Sequence, residues 1–411
     1  MERTGGTVEL TDIAALAQPT GEKILLLVLD GLGGLPLEPG GLTELETART
    51  PRMDALLASG DAGLHVPVAR GVTPGSGPGH LSLFGFDPLR YRVGRGALAA
   101  LGVEFPLQPG DVAIRGNLCT VDGQGVITDR RAGRIPTDEA QPVVELLDGI
   151  RVGGAQAFVR PVKEHRFLLV LRPDEATGAD MEDTDPGVTG VPPQNVVAGS
   201  PGSEPAARIT REWLAQATSV LAGQPRANMV LLRGFATLPD WPRFPDVYRM
   251  RSLAVAAYPM YRGVARLVGM DAVGVEDDPA ALVPALRERI DDYDFFFLHV
   301  KGTDKAGEDG DFQRKVDIIE QVDEIVPALL ATGIGVSLIT GDHSTPARMG
   351  AHSWHPVPFL LNGGPGRGHR SEGTAGFGES ECAHGSIGFI RGCELMPLAA
   401  SWAGRLAKFG A

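Results

Sequence analysis

The chain has 411 residues, 43% of them hydrophobic and 22% charged, with a formal net charge of −13. Such a length exceeds one ordinary core, so two domains or one large domain with an insertion are expected. The acidic balance argues against a nucleic-acid partner, which needs a basic face. It leaves room for a small phosphorylated substrate held by a few local arginines or metal ions.

Cys119, Cys382 and Cys393 are odd in number and widely spaced, which fits a reducing compartment without a disulfide framework. The N-terminal segment lacks the apolar core of a signal peptide, and no run of about 18 apolar residues occurs. A cytoplasmic protein with no membrane span is expected.

In chain order, residues 1–21 read as a loose extension. The run ILLLVL, closed by Asp30 and glycines, reads as a strand buried on both faces of a parallel sheet. Residues 43–59 read as turn, proline and helix. The segment 71–96 is dense in glycine and proline and reads as a loop system. Strands are expected at 112–121 and 125–130, a helix at 137–148, a strand at 164–173, long loop over 173–207, a helix at 204–222 and a strand at 228–234. The proline-rich segment 241–248 reads as a hinge or domain crossing.

Strands at 252–256, 294–300, 334–340 and 356–362 then alternate with helices at 261–269, 278–290 and 312–330. In the last helix Phe312, Val316, Ile319, Val322 and Val326 share one face. Alternation of this kind implies an α/β fold, a mostly parallel sheet with helices on both faces. Residues 1–109 and 246–411 are expected to form that domain, and 110–245 a smaller inserted α+β domain.

The acids and histidines fall where such sheets bind ligands. Asp30, Asp304 and Asp342-His343 each follow a buried strand, and His352 precedes the last one. A lone acid after a strand is usually a turn or cap residue; it is the joint occurrence that points to a metal site. Carboxylates and imidazoles without cysteine suit Mn²⁺, Zn²⁺ or Mg²⁺. Two ions about 4 Å apart can clamp the attacking and leaving oxygens of a phosphoryl group. Ser76, in Pro74-Gly75-Ser76-Gly77-Pro78-Gly79-His80, is alone a weak signal. Beside an ion that lowers its pKa, it is the simplest nucleophile available.

Colinear segments from residue 23 to 411, among them KILLLVLDGLGGLP, PGSGPGHLSLFGFDP, ITDRRAGRI, HVKGTDKAGEDGDF, GDHSTP and HSWHPVPFLL, resemble the archaeal-type 2,3-bisphosphoglycerate-independent phosphoglycerate mutases. These belong to the alkaline phosphatase superfamily, so the resemblance implies an alkaline-phosphatase-like fold. It implies interconversion of 3- and 2-phosphoglycerate in glycolysis and gluconeogenesis without 2,3-bisphosphoglycerate, with Ser76 as phosphorylated nucleophile. Asp30, Ser76, Asp342 and His343 would hold one divalent ion, and Asp304, Glu308 and His352 the other. Mn²⁺ is expected, with Mg²⁺, Co²⁺ and Zn²⁺ as alternatives. His80 would flank the phosphoryl group, and Arg131, Arg134, His165, Arg166, Arg233 and Arg262 would bind substrate. The inserted domain would close as a lid.

Glu308 stands where the family has His, Gly77 where it usually has an acid, and Gly34 where an acid is common. A metal-dependent phosphatase or phosphodiesterase, a mutase for another phosphorylated hydroxy acid, and an inactive ligand-binding relative stay open as readings.

Overall fold

The computed structural model describes residues 8–365 and 376–410, in two compact units: residues 1–92 with 241–411, and residues 93–240. The strands are β1 Ile24–Leu29, β2 Asp61–Val66, β3 Val112–Val121, β4 Ile127–Asp129, β5 Ala155–Lys163, β6 Arg166–Pro173, β7 Met229–Thr237, β8 Ser252–Ala256, β9 Asp271–Val273, β10 Phe295–Val300, β11 Val336–Thr340, β12 Val357–Gly363 and β13 Gly388–Arg391.

The first unit holds an eight-stranded sheet in the order β13-β2-β12-β11-β1-β10-β8-β9. From β11 to β9 every pairing is parallel, while β12 runs antiparallel to both β11 and β2. In β1 and β10 every residue is buried, as expected for strands covered on both faces. Register then decides what meets at the strand ends. Leu29 pairs with Val300, and Val28 with Thr340, so Asp30 emerges beside Lys301 on one flank and Asp342 on the other.

The helix Phe312–Leu330 packs Val316, Ile319, Val322 and Val326 into this core. It also buries two charged residues, Lys315 and Asp323. Asp323 Oδ1 accepts from the backbone N–H groups of Arg52 and Met53 at 3.1 and 2.8 Å. These belong to the first turn of the helix Pro51–Ala58, where donors have no intrahelical partner.

The second unit is an antiparallel sheet, β4-β3-β6-β5 with β7 on the other side of β3. Side chains alternate across it. Val112, Ile114, Leu118, Phe167, Leu169, Val230 and Leu232 share a core with Trp213 and Leu147 from the helices Glu204–Leu221 and Thr137–Asp148. The opposite face carries Ala113, Leu168 and Val170, which pack with Ala100 of the helix Arg95–Gly102. That helix belongs with β3, so the chain enters the second unit at 92/93, before the position the sequence suggested. It returns at 240/241, just ahead of the short helix Phe244–Tyr248.

Two segments read as irregular are helical. Leu10–Leu16 forms a short helix with Leu10 and Ile13 buried, while residues 1–7 lie outside the described residues. Ser76–Leu83 is a helix despite Gly77, Pro78 and Gly79. Pro78 lies in its first turn, where a missing N–H costs no intrahelical bond. Glycine near a helix start costs only its own conformational entropy.

Candidate active site

Three strand ends and one helix start build the site, all within the first unit. Asp30 follows β1, Asp342 and His343 follow β11, and Asp304 lies in the first turn of the helix Gly302–Glu308 after β10. Asp30, Asp304, Asp342 and His343 are fully buried. Gly31 has φ +65°, and a Cβ there would lie 2.5 Å from Thr345 Oγ1 and 2.9 Å from Asp304 Oδ1. Only glycine lets the chain turn this closely under the carboxylates.

Ser76 opens its helix, and its Oγ lies 3.5 Å from His343 Nε2. One turn on, His80 Nδ1 lies 2.8 Å from Ser76 O and 3.1 Å from Asp342 Oδ2. Both partners are acceptors, so Nδ1 carries the proton. Gly79 allows this approach: a Cβ would sit 2.5 Å from Asp342 O.

The acids and imidazoles form two overlapping groups, Asp30–Asp342–His343 and Asp304–His343–His352, each with ligand atoms within 4.8 Å of one another. His343 Nε2 is 3.3 Å from Asp30 Oδ1 and 3.2 Å from Asp342 Oδ2. His352 Nε2 is 3.4 Å from Asp304 Oδ1 and 3.7 Å from Glu308 Oε1, and its ring stacks on His343 at 3.8 Å. Glu308 is exposed and lies outside both groups.

Asp30 Oδ1 is buried without a hydrogen bond, an arrangement that costs free energy unless a cation faces it. The donor set of carboxylates, imidazoles and a hydroxyl fits hard or borderline divalent ions.

Sequence reading missed several groups here. His299 Nε2 contacts Asp30 Oδ2 at 3.1 Å, and its ring stacks on Tyr261 at 3.8 Å. Lys301 Nζ reaches Asp30 Oδ2 at 3.2 Å and also pairs with Asp304. Burial pushes the Asp30 carboxyl up, but His299, Lys301 and His343 outweigh it and hold the group well below the usual range. Burial lowers the Lys301 ammonium, yet Asp30 and Asp304 raise it further, so it stays charged. Burial, with Asp30 and Asp342 nearby, pushes the Tyr261 hydroxyl well up and keeps it protonated. His299 and Lys301 sit in the same strand-end segment as Asp304, a signal that was available. Tyr261 had none.

The proposed substrate residues separate. Arg262 is nearly buried in the first unit and donates to the carbonyls of Ala256 and Ala257 at 2.8 and 2.6 Å, bracing the turn after β8. Arg131, Arg134, His165, Arg166 and Arg233 lie in the second unit. There Arg115 sits opposite Arg233 across the β3–β7 pair, and Arg166 opposite Asn117 across β3–β6. Burial, then Arg166, Arg95 and Arg233, lower the Arg115 guanidinium. Arg233 is balanced by Asp183 and Asp185 at 3.6 and 3.2 Å, and Arg166 faces Glu164 at 3.9 Å. Arg115 has no ion pair among the described residues.

His165 is pushed down to about 4 by burial and by Arg166, Arg131 and Arg115, so it is neutral at physiological pH. Arg134 is exposed with φ +51° and does not join the charges acting on Arg115 or His165. Mutual repulsion among Arg95, Arg115 and Arg166 is what a waiting anion site presents.

Buried acids and imidazoles in overlapping groups at the strand ends of an open α/β sheet define a divalent-metal-dependent enzyme. Residues 58–227 match the family model for 2,3-bisphosphoglycerate-independent phosphoglycerate mutase. The chain is 50% identical over 401 residues to a Thermus thermophilus protein named "Probable 2,3-bisphosphoglycerate-independent phosphoglycerate mutase", covering 96% of this chain and 98% of that relative. Among solved structures, a Pyrococcus horikoshii protein matches with a TM-score of 0.77 at 33% identity, covering 95% of this chain and 99% of that one. The cofactor-independent phosphoglycerate mutase of Thermoplasma acidophilum matches with a TM-score of 0.73 at 27% identity, covering 93% and 100%. The chain belongs to the 2,3-bisphosphoglycerate-independent phosphoglycerate mutases.

Proposed function

We propose that the chain interconverts 3-phosphoglycerate and 2-phosphoglycerate by carrying the phosphoryl group on Ser76 Oγ. The observation that carries this reading is the placement of that hydroxyl, 3.5 Å from His343 Nε2, the histidine common to both metal-capable groups. Asp30, Ser76, Asp342 and His343 would hold one ion, and Asp304, Glu308 and His352 the other. Mn²⁺ suits this carboxylate-rich set, ahead of Mg²⁺, Co²⁺ and Zn²⁺. When bound, two such ions lower the pKa of a nearby hydroxyl and neutralise charge on a transferring phosphoryl group.

Ser76 Oγ attacks phosphorus, the bond from phosphorus to the substrate's O3 breaks, and a proton ends on O3. Free glycerate turns in place and its O2 takes the phosphoryl group back, restoring the serine hydroxyl. Lys301, held charged between Asp30 and Asp304, offers its ammonium to phosphoryl oxygens. His80 orients Ser76 through the main-chain carbonyl and Asp342 through its carboxylate. The arginines around Arg115, with neutral His165, are assigned the substrate's anionic groups. Among the described residues no helix is long and apolar enough to cross a membrane. The three cysteines are buried and unpaired, which supports a reducing compartment, the cytoplasm.

The test is a comparison of products from 3-phosphoglycerate and Mn²⁺. A mutase yields 2-phosphoglycerate, read by an enolase-coupled absorbance change, with little free phosphate. Free phosphate as the main product would make the chain a hydrolase instead.

A further inference from the structure

Lys315 is fully buried in the helix Phe312–Leu330, where an apolar side chain would pack at lower cost. Its ammonium has three protons and three acceptors: Gly31 O at 2.9 Å, Gly33 O at 3.1 Å and Thr345 O at 2.9 Å. The first two carbonyls belong to the turn after Asp30, the third to the turn after Asp342-His343. One side chain therefore ties together the two loops that carry the site's acids and central histidine.

Buried Glu44 and half-buried Glu379 complete the tie from the other side. Glu44 Oε1 lies 3.8 Å from Lys315 Nζ and accepts from Ala347 N at 2.7 Å, while Glu44 Oε2 accepts from Leu35 N at 3.2 Å. Glu379 accepts from Gly34 N at 2.8 Å and from Thr43 Oγ1 at 2.6 Å.

The tie reaches the site through Thr345. Its hydroxyl lies 2.6 Å from Asp304 Oδ1 and 3.0 Å from His343 Nδ1. The hydroxyl donates to Asp304 Oδ1. Thr345 Oγ1 thus bridges Asp304 and His343 and fixes the orientation of the His343 ring. Nε2 is the atom that faces Asp30, Asp342 and Ser76.

We propose that Lys315, backed by Glu44 and acting through Thr345, is a latch that sets the spacing of the two metal-ligand groups before any ion arrives. The inference rests on Asp30, Asp304 and His343 serving as ion ligands. Lys315 and Thr345 are positioning residues: neither touches substrate, and both act through the ligands. Partners of this kind, one bond behind the ligands, commonly set metal affinity by about 10- to 100-fold.

The test is titration calorimetry of the full-length, metal-free protein with Mn²⁺, alongside far-ultraviolet circular dichroism. Lys315→Met and Thr345→Val are the variants, the second a near-isostere that keeps the fold should the first fail to fold. The latch predicts that folded variants bind Mn²⁺ about 10- to 100-fold more weakly than wild type. It also predicts that saturating Mn²⁺ brings mutase activity back towards the wild-type value. Wild-type Mn²⁺ affinity in folded Thr345→Val would overturn the proposal. A wild-type chain that binds Mn²⁺ but makes no 2-phosphoglycerate would sink the mutase reading and leave the latch standing.

Discussion

Replacing Lys301 by methionine removes an ammonium that pairs with the fully buried carboxylates of Asp30 and Asp304. Its Nζ lies 3.2 Å from Asp30 Oδ2. At an effective dielectric constant of about 20, that single contact is worth about 5 kcal/mol of attraction. Removing one partner of a buried pair costs ~3–5 kcal/mol in practice. For a unit of this size that corresponds to a fall in Tm of roughly 10 °C. The loss belongs to the metal-free protein, because bound divalent ions supply the missing positive charge.

Differential scanning fluorimetry of wild type and Lys301→Met, in EDTA and in excess Mn²⁺, separates the two conditions. A large Tm difference in EDTA that shrinks in Mn²⁺ is expected. Asp30 is held ionised below its usual range, so its pairing contributes stability above the unfolded pKa and loses it as pH falls. The variant's deficit should therefore be smaller at acid pH than at neutral pH. Equal deficits with and without Mn²⁺ would refute the reasoning, since the lysine would then be compensating something other than the ion-binding acids.

Arg115→Met should raise the KM for 3-phosphoglycerate by about 10- to 100-fold, the worth of a charged hydrogen bond, with no loss of Tm, because it relieves repulsion from Arg95, Arg166 and Arg233. Steady-state kinetics with a parallel melting curve checks both halves. Burial raises the Glu379 carboxyl from 4.5 to about 7, so its contribution to stability is present below pH 4.5 and is lost as pH rises through about 7. Glu379→Gln should remove about 3 kcal/mol of that decline in metal-free protein, measured by urea unfolding at pH 5 and pH 8. Glu308→His should shift ion preference from Mn²⁺ and Mg²⁺ towards Zn²⁺, read by competition binding.

The sequence announced the site where a local signal and a global constraint coincided. Continuous apolar runs ending in acids, as at Asp30 and Asp342, mark strands of a parallel sheet and its ligand edge together. The register of β1 against β10 and β11 then brings those acids side by side. The helix at Ser76 was hidden because Gly-Ser-Gly-Pro-Gly reads as a turn, and its helical start depends on which backbone donors go unused. Lys315 was hidden for a different reason. In an amphipathic helix a lysine reads as solvent-facing, and only the fold reveals three carbonyls waiting for it. Arg115 likewise became informative only once strand pairing set it opposite Arg233.

The central claim is covalent and can be read directly. Wild-type protein with Mn²⁺ and 3-phosphoglycerate, quenched in acid during turnover and digested, should yield the Ser76 peptide carrying one added phosphoryl group, absent in Ser76→Ala. A phosphoryl group on another residue, or 2-phosphoglycerate formation by Ser76→Ala at the wild-type rate, would contradict it.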